Sequence, residues 1–287
     1  MPTRKLGLAQ QRLVTPEPPA CRASVLDCGS PLPLSDHAAH SQSRGELPPS
    51  RTPIPQTRPT CNSPTRGNRI CHTRTDKAPP LAERGYVVLA PSYPIMAGYQ
   101  PDLNALGYRS GTMKAIWDNI RGLDLLDSLP FVRKKRFGAI GHSLGGHNAI
   151  YTAVFDPRIQ VVVSSCGFDS FLDYYGGDPA NWQSGRGWCQ TRYLPRLADY
   201  RGRLAEIPFD FHELIGALAP RPVFVSAPLH DANFRCQSVD QVMKAASAVY
   251  LLYGVPQNLA VVHPDCEHDF PPEVREAAYR FLDQRLR

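Results

Sequence analysis

The hexapeptide Gly141-His142-Ser143-Leu144-Gly145-Gly146 constrains the fold of this 287-residue chain more than any other stretch. It has the pattern Gly-x-Ser-x-Gly and lies between the apolar run 137–140 and an apolar periodic segment that begins near Leu144. This context predicts a strand, a sharp turn and a helix, which is the setting of a nucleophile elbow. Glycines beside the serine suit a backbone turn that few side chains tolerate. The alternative interpretation is a glycine-rich strand–helix turn in another kind of α/β protein.

The sequence divides near Leu81 into two parts of unlike composition. Residues 1–80 contain 14 of the 29 prolines, contain no Phe, Tyr or Trp, and carry the whole formal charge of +6. Such a segment cannot bury enough apolar area to offset its chain entropy, so it is expected to be a disordered, solvated tail. One alternative is a tail that binds a partner. Another is that residues 1–80 result from a shifted reading frame or a wrong start, because the composition changes so abruptly.

Charge, cysteine spacing and hydropathy argue against several classes of protein. Residues 81–287 carry equal numbers of acidic and basic side chains, so the basic pI gives no support for a nucleic-acid partner. None of the eight cysteines forms a Cys-x-x-Cys pair, and residues 1–14 lack the apolar core of a secretory signal. No stretch approaches the roughly 18 consecutive apolar residues of a membrane helix. We therefore expect reduced thiols, a cytoplasmic location and no membrane partner.

Residues 81–287 alternate strands with helices, which predicts a mostly parallel α/β sheet. Strands are expected at 86–90, 137–140, 159–163, 222–226 and 259–263, and the main helices at 113–126, 144–155, 238–253 and 271–282. The segment 167–220 is long, irregular and rich in aromatic residues. An insertion of this size beside a catalytic strand is expected to form a lid or substrate wall, with most of its aromatics packed on the domain.

Three residues have the types and the order that nucleophilic catalysis by a serine needs. Ser143, Asp231 and His268 run nucleophile, acid, histidine, and each follows the C-terminal end of an expected strand, where parallel sheets place ligands. His268 is expected to act as general base, and Asp231 is expected to orient its imidazole. The backbone N–H of Leu144 is expected to give one donor to the oxyanion hole, and the second donor is not identified.

The other candidate residues are less well placed. Two histidines flank the serine and are expected to point away from its hydroxyl, namely His142 and His147. His230 neighbours the acid, and His263 is expected to be packed within a strand. Three further acids lie too close to His268 or within a helix, namely Asp265, Asp269 and Asp240. No His-Glu-x-x-His or similar spacing occurs, so neither a metal site nor another cofactor is expected.

Residues 81–287 resemble the α/β-hydrolase superfamily, and within it the dienelactone-hydrolase and acetyl-xylan-esterase-like group. The likeness rests on the segments 85–91, 141–146, 226–231 and 268–270. It implies a sheet flanked by helices and hydrolysis of a small-molecule carboxylic ester through an acyl-enzyme, with Ser143, Asp231 and His268 as the triad. Dienelactone hydrolases carry cysteine as nucleophile, so the serine favours ester or peptide chemistry. A peptidase of the prolyl-oligopeptidase type is therefore an alternative function.

The likeness does not extend to the front third of the fold. In that superfamily a central strand lies between the strand near Tyr86 and the elbow strand, and the loop after it gives the second oxyanion donor. No segment of residues 1–80 matches that strand or loop, so the sheet is expected to lack its N-terminal strands. An inactive or truncated hydrolase-like protein is a further alternative. Neither the acyl group of the substrate nor the oligomeric state follows from the pattern.

Overall fold

A six-stranded parallel sheet with helices on both faces forms the core of the molecule. The structure is a computed structural model that describes residues 24–27 and 78–286. The strand order is β2-β1-β3-β4-β5-β6. The strands are β1 (Val25–Asp27), β2 (Val88–Leu89), β3 (Phe137–His142), β4 (Ile159–Ser165), β5 (Val223–Ser226) and β6 (Leu259–Val262). The mostly parallel α/β-hydrolase-type sheet expected from the sequence is thus confirmed.

Helices cover both faces of the sheet and follow the expected apolar periodicity. They are α1 (Ala78–Glu83), α2 (Gly111–Ser128), α3 (Leu144–Phe155), α4 (Phe211–Gly216), α5 (Cys236–Leu252) and α6 (Pro272–Leu286). One apolar cluster contains side chains of α2, α3, α4 and α5, and a second contains side chains of α1 and α6. Successive strand residues alternate between the clusters, as Ala139 and Ile140 do on β3, because side chains alternate across a strand. The described helices include none with the length and apolar content that a membrane span requires.

The central position of the sheet is occupied, which corrects the expectation that no strand of residues 1–80 fills it. Strand β1 lies between β2 and β3 and pairs with both in parallel. Val25 N–H donates to the Val87 carbonyl at 3.1 Å, and Gly138 N–H donates to the Ser24 carbonyl at 2.9 Å. Ser24, Val25 and Leu26 have no exposed surface. Burial of both faces and pairing of both edges stabilise a strand of only three residues, too short to show a periodicity of its own.

The expected disordered tail lies mostly outside the described residues, since residues 1–23 and 28–77 are not described.

Two further predictions, one for a strand and one for a helix, were wrong in detail. The strand expected at 86–90 is a strand only over Val88–Leu89. In α2, Met113 and Trp117 belong to the apolar pattern, yet they are 46% and 48% exposed. Hydrophobic spacing located that helix correctly but did not identify every residue of its buried face.

The segment after β4 is irregular, as expected. It contains five short 3₁₀ helices at Tyr174–Gly177, Pro179–Trp182, Gly187–Cys189, Pro195–Tyr200 and Leu204–Glu206, followed by α4. Most of its aromatic side chains are buried, Trp182 completely, and the T-shaped contact between Phe171 and Trp182 is representative. These side chains belong to the same apolar cluster as α3. The segment therefore packs directly on the helix that follows the elbow, and its role as lid or substrate wall stays a prediction.

Candidate active site

The turn between β3 and α3 places Ser143 in a strained backbone conformation. Its φ is +53° and its ψ is −123°, in the region that side chains other than glycine rarely adopt. The Ser143 N–H donates to the Ser165 carbonyl at 2.7 Å and ties the turn to the end of β4. A Cβ atom on Gly141 would lie 2.1 Å from the carbonyl carbon of Gly145, so only glycine fits at that position. The glycines of the motif thus permit the sharp turn that the sequence predicts.

Two further glycines let α3 approach the end of β4 closely. A Cβ on Gly146 would lie 2.8 Å from the Ser164 Oγ, and one on Gly167 would lie 2.7 Å from the carbonyl carbon of Gly146. Real Cβ atoms essentially never show contacts this short, so a side chain at either position would push α3 away from the sheet. The close approach fixes the N-terminus of α3 and the serine that precedes it.

The structure brings the three predicted residues into one hydrogen-bonded line. His268 Nε2 lies 2.8 Å from Ser143 Oγ, and His268 Nδ1 lies 2.8 Å from Asp231 Oδ2. Ser143 follows β3, Asp231 lies in the loop after β5, and His268 lies in the loop after β6. The carboxyl ends of parallel strands share one edge of the sheet, which explains how residues 125 positions apart meet. The geometry has the nucleophile–base–orienter arrangement that activates a serine.

The second carboxylate oxygen of Asp231 is held by its own loop. Oδ1 accepts hydrogen bonds from the backbone N–H groups of Asn233 at 2.8 Å and Phe234 at 3.2 Å. The side chain of Asp231 is fully buried, while that of His268 is 18% exposed. The carboxylate is therefore fixed in orientation beside the imidazole, and the imidazole is the more exposed side chain of the two.

His142 supports the loop of His268 rather than the serine. Its Nδ1 lies 3.1 Å from Ser165 Oγ, and its ring stacks on Phe270 at 6.3 Å with an interplanar angle of 14°. Its ring centroid is 5.1 Å from that of His268. Hydrogen bonding and stacking orient His142 away from the Ser143 hydroxyl, in keeping with the sequence analysis.

Three other histidines in the described part of the chain do not belong to the hydrogen-bonded line. His147 is completely buried and stacks on Trp188 at 4.6 Å, and this burial lowers its pKa to about 3. His230 is exposed, and its Nε2 lies 2.8 Å from Asp265. His263 corrects an expectation, because it follows β6 and is not packed in the core. Its Nδ1 lies 2.7 Å from the Ala227 carbonyl, so it joins the ends of β5 and β6.

The N-terminus of α3 faces the same edge of the sheet. Leu144 is the first residue of this helix, and the first N–H groups of a helix lack carbonyl partners within it. Such groups, together with the positive end of the helix dipole, favour negative charge beside the serine. The expected second oxyanion donor follows the central strand in the superfamily, and residues 28–77, which come directly after β1, lie outside the described part of the chain.

An aromatic wall lies beside the imidazole, and we define it as Tyr174, Trp188 and Phe234. The Phe234 ring lies 5.9 Å from the His268 ring, and Trp188 stacks on Phe234 at 5.9 Å with an angle of 17°. The Tyr174 ring lies 6.0 Å from that of Phe234 and 5.5 Å from that of Trp188, so the three rings contact one another. All three side chains are buried, so the wall is rigid and apolar where it meets the site.

Sequence reasoning missed Cys166, which stands directly after β4 at the same edge. Its Sγ, a carboxylate oxygen of Asp231 and a ring nitrogen of His268 all lie within 4.8 Å of one another. Cys166 is only 2% exposed and is a free thiol. A single cysteine with no Cys or His at ligand spacing carries no local signal. Its position just beyond a buried strand, in line with the other site residues, was the only indication in the sequence.

A family model described as "Glucuronyl esterase, fungi" matches residues 102–254, more than half of the chain. This chain belongs to the glucuronyl esterase family. The match includes Ser143 and Asp231 and ends before His268. The glucuronyl esterase assignment agrees with the α/β-hydrolase likeness expected from the sequence.

Individual relatives agree with the glucuronyl esterase match. A protein of Bacillus subtilis (strain 168) named as a hydrolase, YtaP, is 31% identical over 171 residues, which cover 60% of this chain and 53% of that protein. The 4-O-methyl-glucuronoyl methylesterase 1 of Wolfiporia cocos (strain MD-104) is 25% identical over 185 residues, which cover 60% and 45%. The chain thus spans about half the length of the curated relatives it matches.

Solved structures agree on the fold. A carbohydrate esterase family 15 glucuronoyl esterase from Caldicellulosiruptor kristjansonii aligns with a TM-score of 0.61 at 21% identity, covering 74% of this chain and 62% of that chain. A glucuronoyl esterase from Solibacter usitatus aligns with a TM-score of 0.52 at 21% identity, covering 67% and 52%. At this identity the likeness concerns the architecture of the sheet and its helices.

Proposed function

We propose that this chain is a serine esterase that cleaves a carboxylic ester through an acyl-enzyme, with Ser143, His268 and Asp231 as its triad. The observation that carries the proposal is the line of two 2.8 Å contacts from Ser143 Oγ through His268 to Asp231. Membership of an esterase family supports the same reaction class.

His268 moves the proton in both halves of the reaction. Its Nε2 takes the proton of Ser143 as Oγ attacks the ester carbonyl, and it returns that proton to the departing alkoxide. Water then enters, gives a proton to Nε2 and attacks the acyl-enzyme, which releases the acid and restores Ser143. Asp231 holds the Nδ1 proton and stabilises the imidazolium that forms in each half. Its burial and its two backbone donors keep it aimed at that proton.

The Leu144 N–H stabilises the oxyanion that develops on the carbonyl oxygen. It lies at the start of α3, one residue beyond the nucleophile, so it is in place before the charge appears. Pre-placed donors need no reorganisation during the reaction, which is why they lower the barrier. The strained Ser143 backbone also helps to stabilise the oxyanion, because it holds Oγ and the helix N-terminus on one side of the turn.

We infer an ester of a uronic acid as the substrate class to test first. This inference comes from the relatives, which are named glucuronoyl esterases and 4-O-methyl-glucuronoyl methylesterases. The aromatic wall supplies an apolar surface next to His268, which suits the alcohol or acyl part of an ester. Peptide amides belong in the same panel, because the prolyl-oligopeptidase alternative uses the same three residues.

The proposal is tested by steady-state hydrolysis of glucuronic acid methyl ester, a chromogenic acetyl ester and a peptide anilide. Ser143→Ala is expected to lower kcat/KM on the ester by about 10⁴-fold or more, because the nucleophile and its base act as a unit. His268→Ala is expected to have a similar effect, and Asp231→Asn a smaller one. His212→Ala, an exposed histidine at α4, is the control and keeps wild-type turnover. Ester turnover that survives in Ser143→Ala would overturn the proposal.

A further inference from the structure

Three side chains that can bind a metal, from three successive strand ends, lie close together in the structure. Cys166 follows β4, Asp231 lies after β5, and His268 lies after β6. One sulfur, one carboxylate oxygen and one imidazole nitrogen lie within 4.8 Å of one another. The thiol plays no part in the proposed hydrolysis. The thiol therefore lies beside the proposed catalytic acid and base, an arrangement that the sequence pattern did not reveal.

The fold fixes the position of the Cys166 thiol. The residue has a φ of +49°, a left-handed conformation that is costly for a side chain other than glycine. Its N–H donates to the Ser226 carbonyl at 2.8 Å, and its Sγ donates to the Asp269 carbonyl at 3.3 Å. It is thus held to β5 on one side and to the loop of His268 on the other. With 2% of its surface exposed, it has no room to adopt another position.

The chemistry of the three ligand atoms determines which metal ions fit the site. One thiolate, one imidazole and one carboxylate suit Zn²⁺ and other thiophilic divalent cations, whereas Mg²⁺ and Ca²⁺ prefer oxygen ligands. At zinc bond lengths of about 2.0–2.3 Å, two ligand atoms around a tetrahedral ion lie a little over 3 Å apart. His268 Nδ1 and Asp231 Oδ2 are 2.8 Å apart, so a small separation of the pair would admit the ion. The ion would enter past the imidazole, whose side chain is 18% exposed.

We propose that Zn²⁺ binds between Cys166 Sγ, Asp231 and His268 Nδ1 and reversibly inhibits this chain's hydrolysis. Binding breaks the S–H bond of Cys166, forms Zn–S and Zn–N bonds, and releases one proton to solvent. The imidazole stays neutral, because the proton of Nδ1 moves to Nε2. The metal takes the carboxylate that orients the imidazole. With a proton on Nε2 and a cation on Nδ1, the imidazole cannot accept the proton of Ser143. The inhibition rests on the proposed function, whereas the binding does not.

Binding is tested with Cd²⁺ as a probe, because a cadmium–thiolate bond absorbs in the ultraviolet and needs no turnover. The full chain and Ser143→Ala are both expected to give this charge-transfer band, and Cys166→Ser is expected to lose it. Cys266→Ser is the matched control, since Cys266 is a free thiol in the loop of His268 and is more exposed than Cys166. A band that persists in Cys166→Ser, or that disappears in Cys266→Ser, would overturn the assignment.

Inhibition is tested by titrating ester turnover with Zn²⁺ and reversing it with a chelator. Each protein's turnover is expressed relative to its own turnover without metal, and Cys166→Ser is expected to need about tenfold more Zn²⁺, or more, for half inhibition. Equal sensitivity of the two proteins would contradict the proposal. Should Cys166→Ser fail to fold, X-ray absorption spectroscopy of the zinc-loaded wild-type chain tests the site. We expect one sulfur ligand on the zinc, and a spectrum without a sulfur ligand would contradict the site. Lack of turnover in the wild type would instead count against the esterase function and leave the Cd²⁺ readout valid.

Discussion

His147 and Asp169 are both completely buried, and their pKa values move in opposite directions. Burial lowers the pKa of His147 from its ordinary 6.5 to about 3. Burial raises the pKa of Asp169 from its ordinary 3.8 to about 8, and the backbone N–H of Arg235 counters part of the rise. Burial disfavours the charged form in both cases, so both side chains are neutral in the folded protein near pH 7.

The two shifts affect stability with opposite signs. The unfolded chain protonates His147 near pH 6.5 and the folded chain only near pH 3, so acidification across this window favours unfolding. The folded chain keeps the Asp169 proton up to about pH 8, whereas the unfolded chain loses it at 3.8. Through Asp169, stability therefore falls as the pH rises from 3.8 to 8. The effects partly cancel in the wild type, and single variants are needed to separate them.

His147→Phe is expected to remove one acid-sensitive group from the fold. Between pH 7 and pH 5, the wild type should lose about 2 kcal/mol more unfolding free energy than the variant, since one pKa unit corresponds to about 1.4 kcal/mol. Urea unfolding of both proteins at each pH measures the difference, and Asp169 contributes equally to both. His212→Phe, at an exposed histidine, is the control and keeps the wild-type pH dependence. Identical slopes for His147→Phe and the wild type would refute a buried neutral His147.

Sequence reasoning predicted the three residues of the hydrogen-bonded line better than the residues packed around them. Ser143, Asp231 and His268 were predictable because each type follows a strand and the three occur in one order. Cys166 was not, because its relation to Asp231 and His268 exists only after three strands align. The packing of His263 was wrongly predicted for a related reason. Residue type suggested a core position, whereas its two polar contacts with Ala227 and Asp240 depend on neighbouring elements.

Strand β1 forms because it pairs with β2 and β3, although its own three residues show no strand pattern. It has three residues, and its neighbours in the sheet, β2 and β3, lie more than 60 positions further along the chain. Without β1, the facing edges of β2 and β3 would bury unpaired backbone groups, each at a cost of about 1–3 kcal/mol. The strand therefore stabilises two elements besides itself, including the one that carries the elbow.

Leu26→Ala is expected to destabilise the protein by about 2–4 kcal/mol, because it truncates a completely buried side chain on an interior strand of the sheet. Chemical unfolding monitored by circular dichroism measures the loss. Leu252→Ala is the matched control, since Leu252 is 86% exposed and its truncation should change stability by no more than about 0.5 kcal/mol. Equal effects of the two substitutions would show that residues 25–27 do not lie in the sheet.

The elements with long, strongly patterned sequences were all predictable, notably β3, β4, β5 and the helices α2, α3, α5 and α6. Their buried positions recur at the period of the element, so each segment indicates its own structure. The irregular segment between β4 and α4 was predictable only as an aromatic insertion. Its 3₁₀ turns and ring contacts are fixed by tertiary packing, which leaves no periodic signature in the sequence.

The whole molecule is organised along one edge of its sheet. Strands β3, β4, β5 and β6 are successive neighbours, and Ser143, Cys166, Asp231 and His268 follow them in the same order. Fold class and family membership follow from this architecture and from the match over residues 102–254. Because the chain spans about half the length of its curated relatives, catalysis by this chain itself is the central claim to be tested.

That claim is tested most directly by reacting the full chain with a fluorophosphonate and locating the adduct by peptide mass spectrometry. An activated serine reacts with this reagent, whereas an ordinary serine is too weak a nucleophile. We predict one adduct, on Ser143, that is absent in Ser143→Ala and much slower to form in His268→Ala. Folded protein that takes up no label, or takes it up at another serine, would contradict the account.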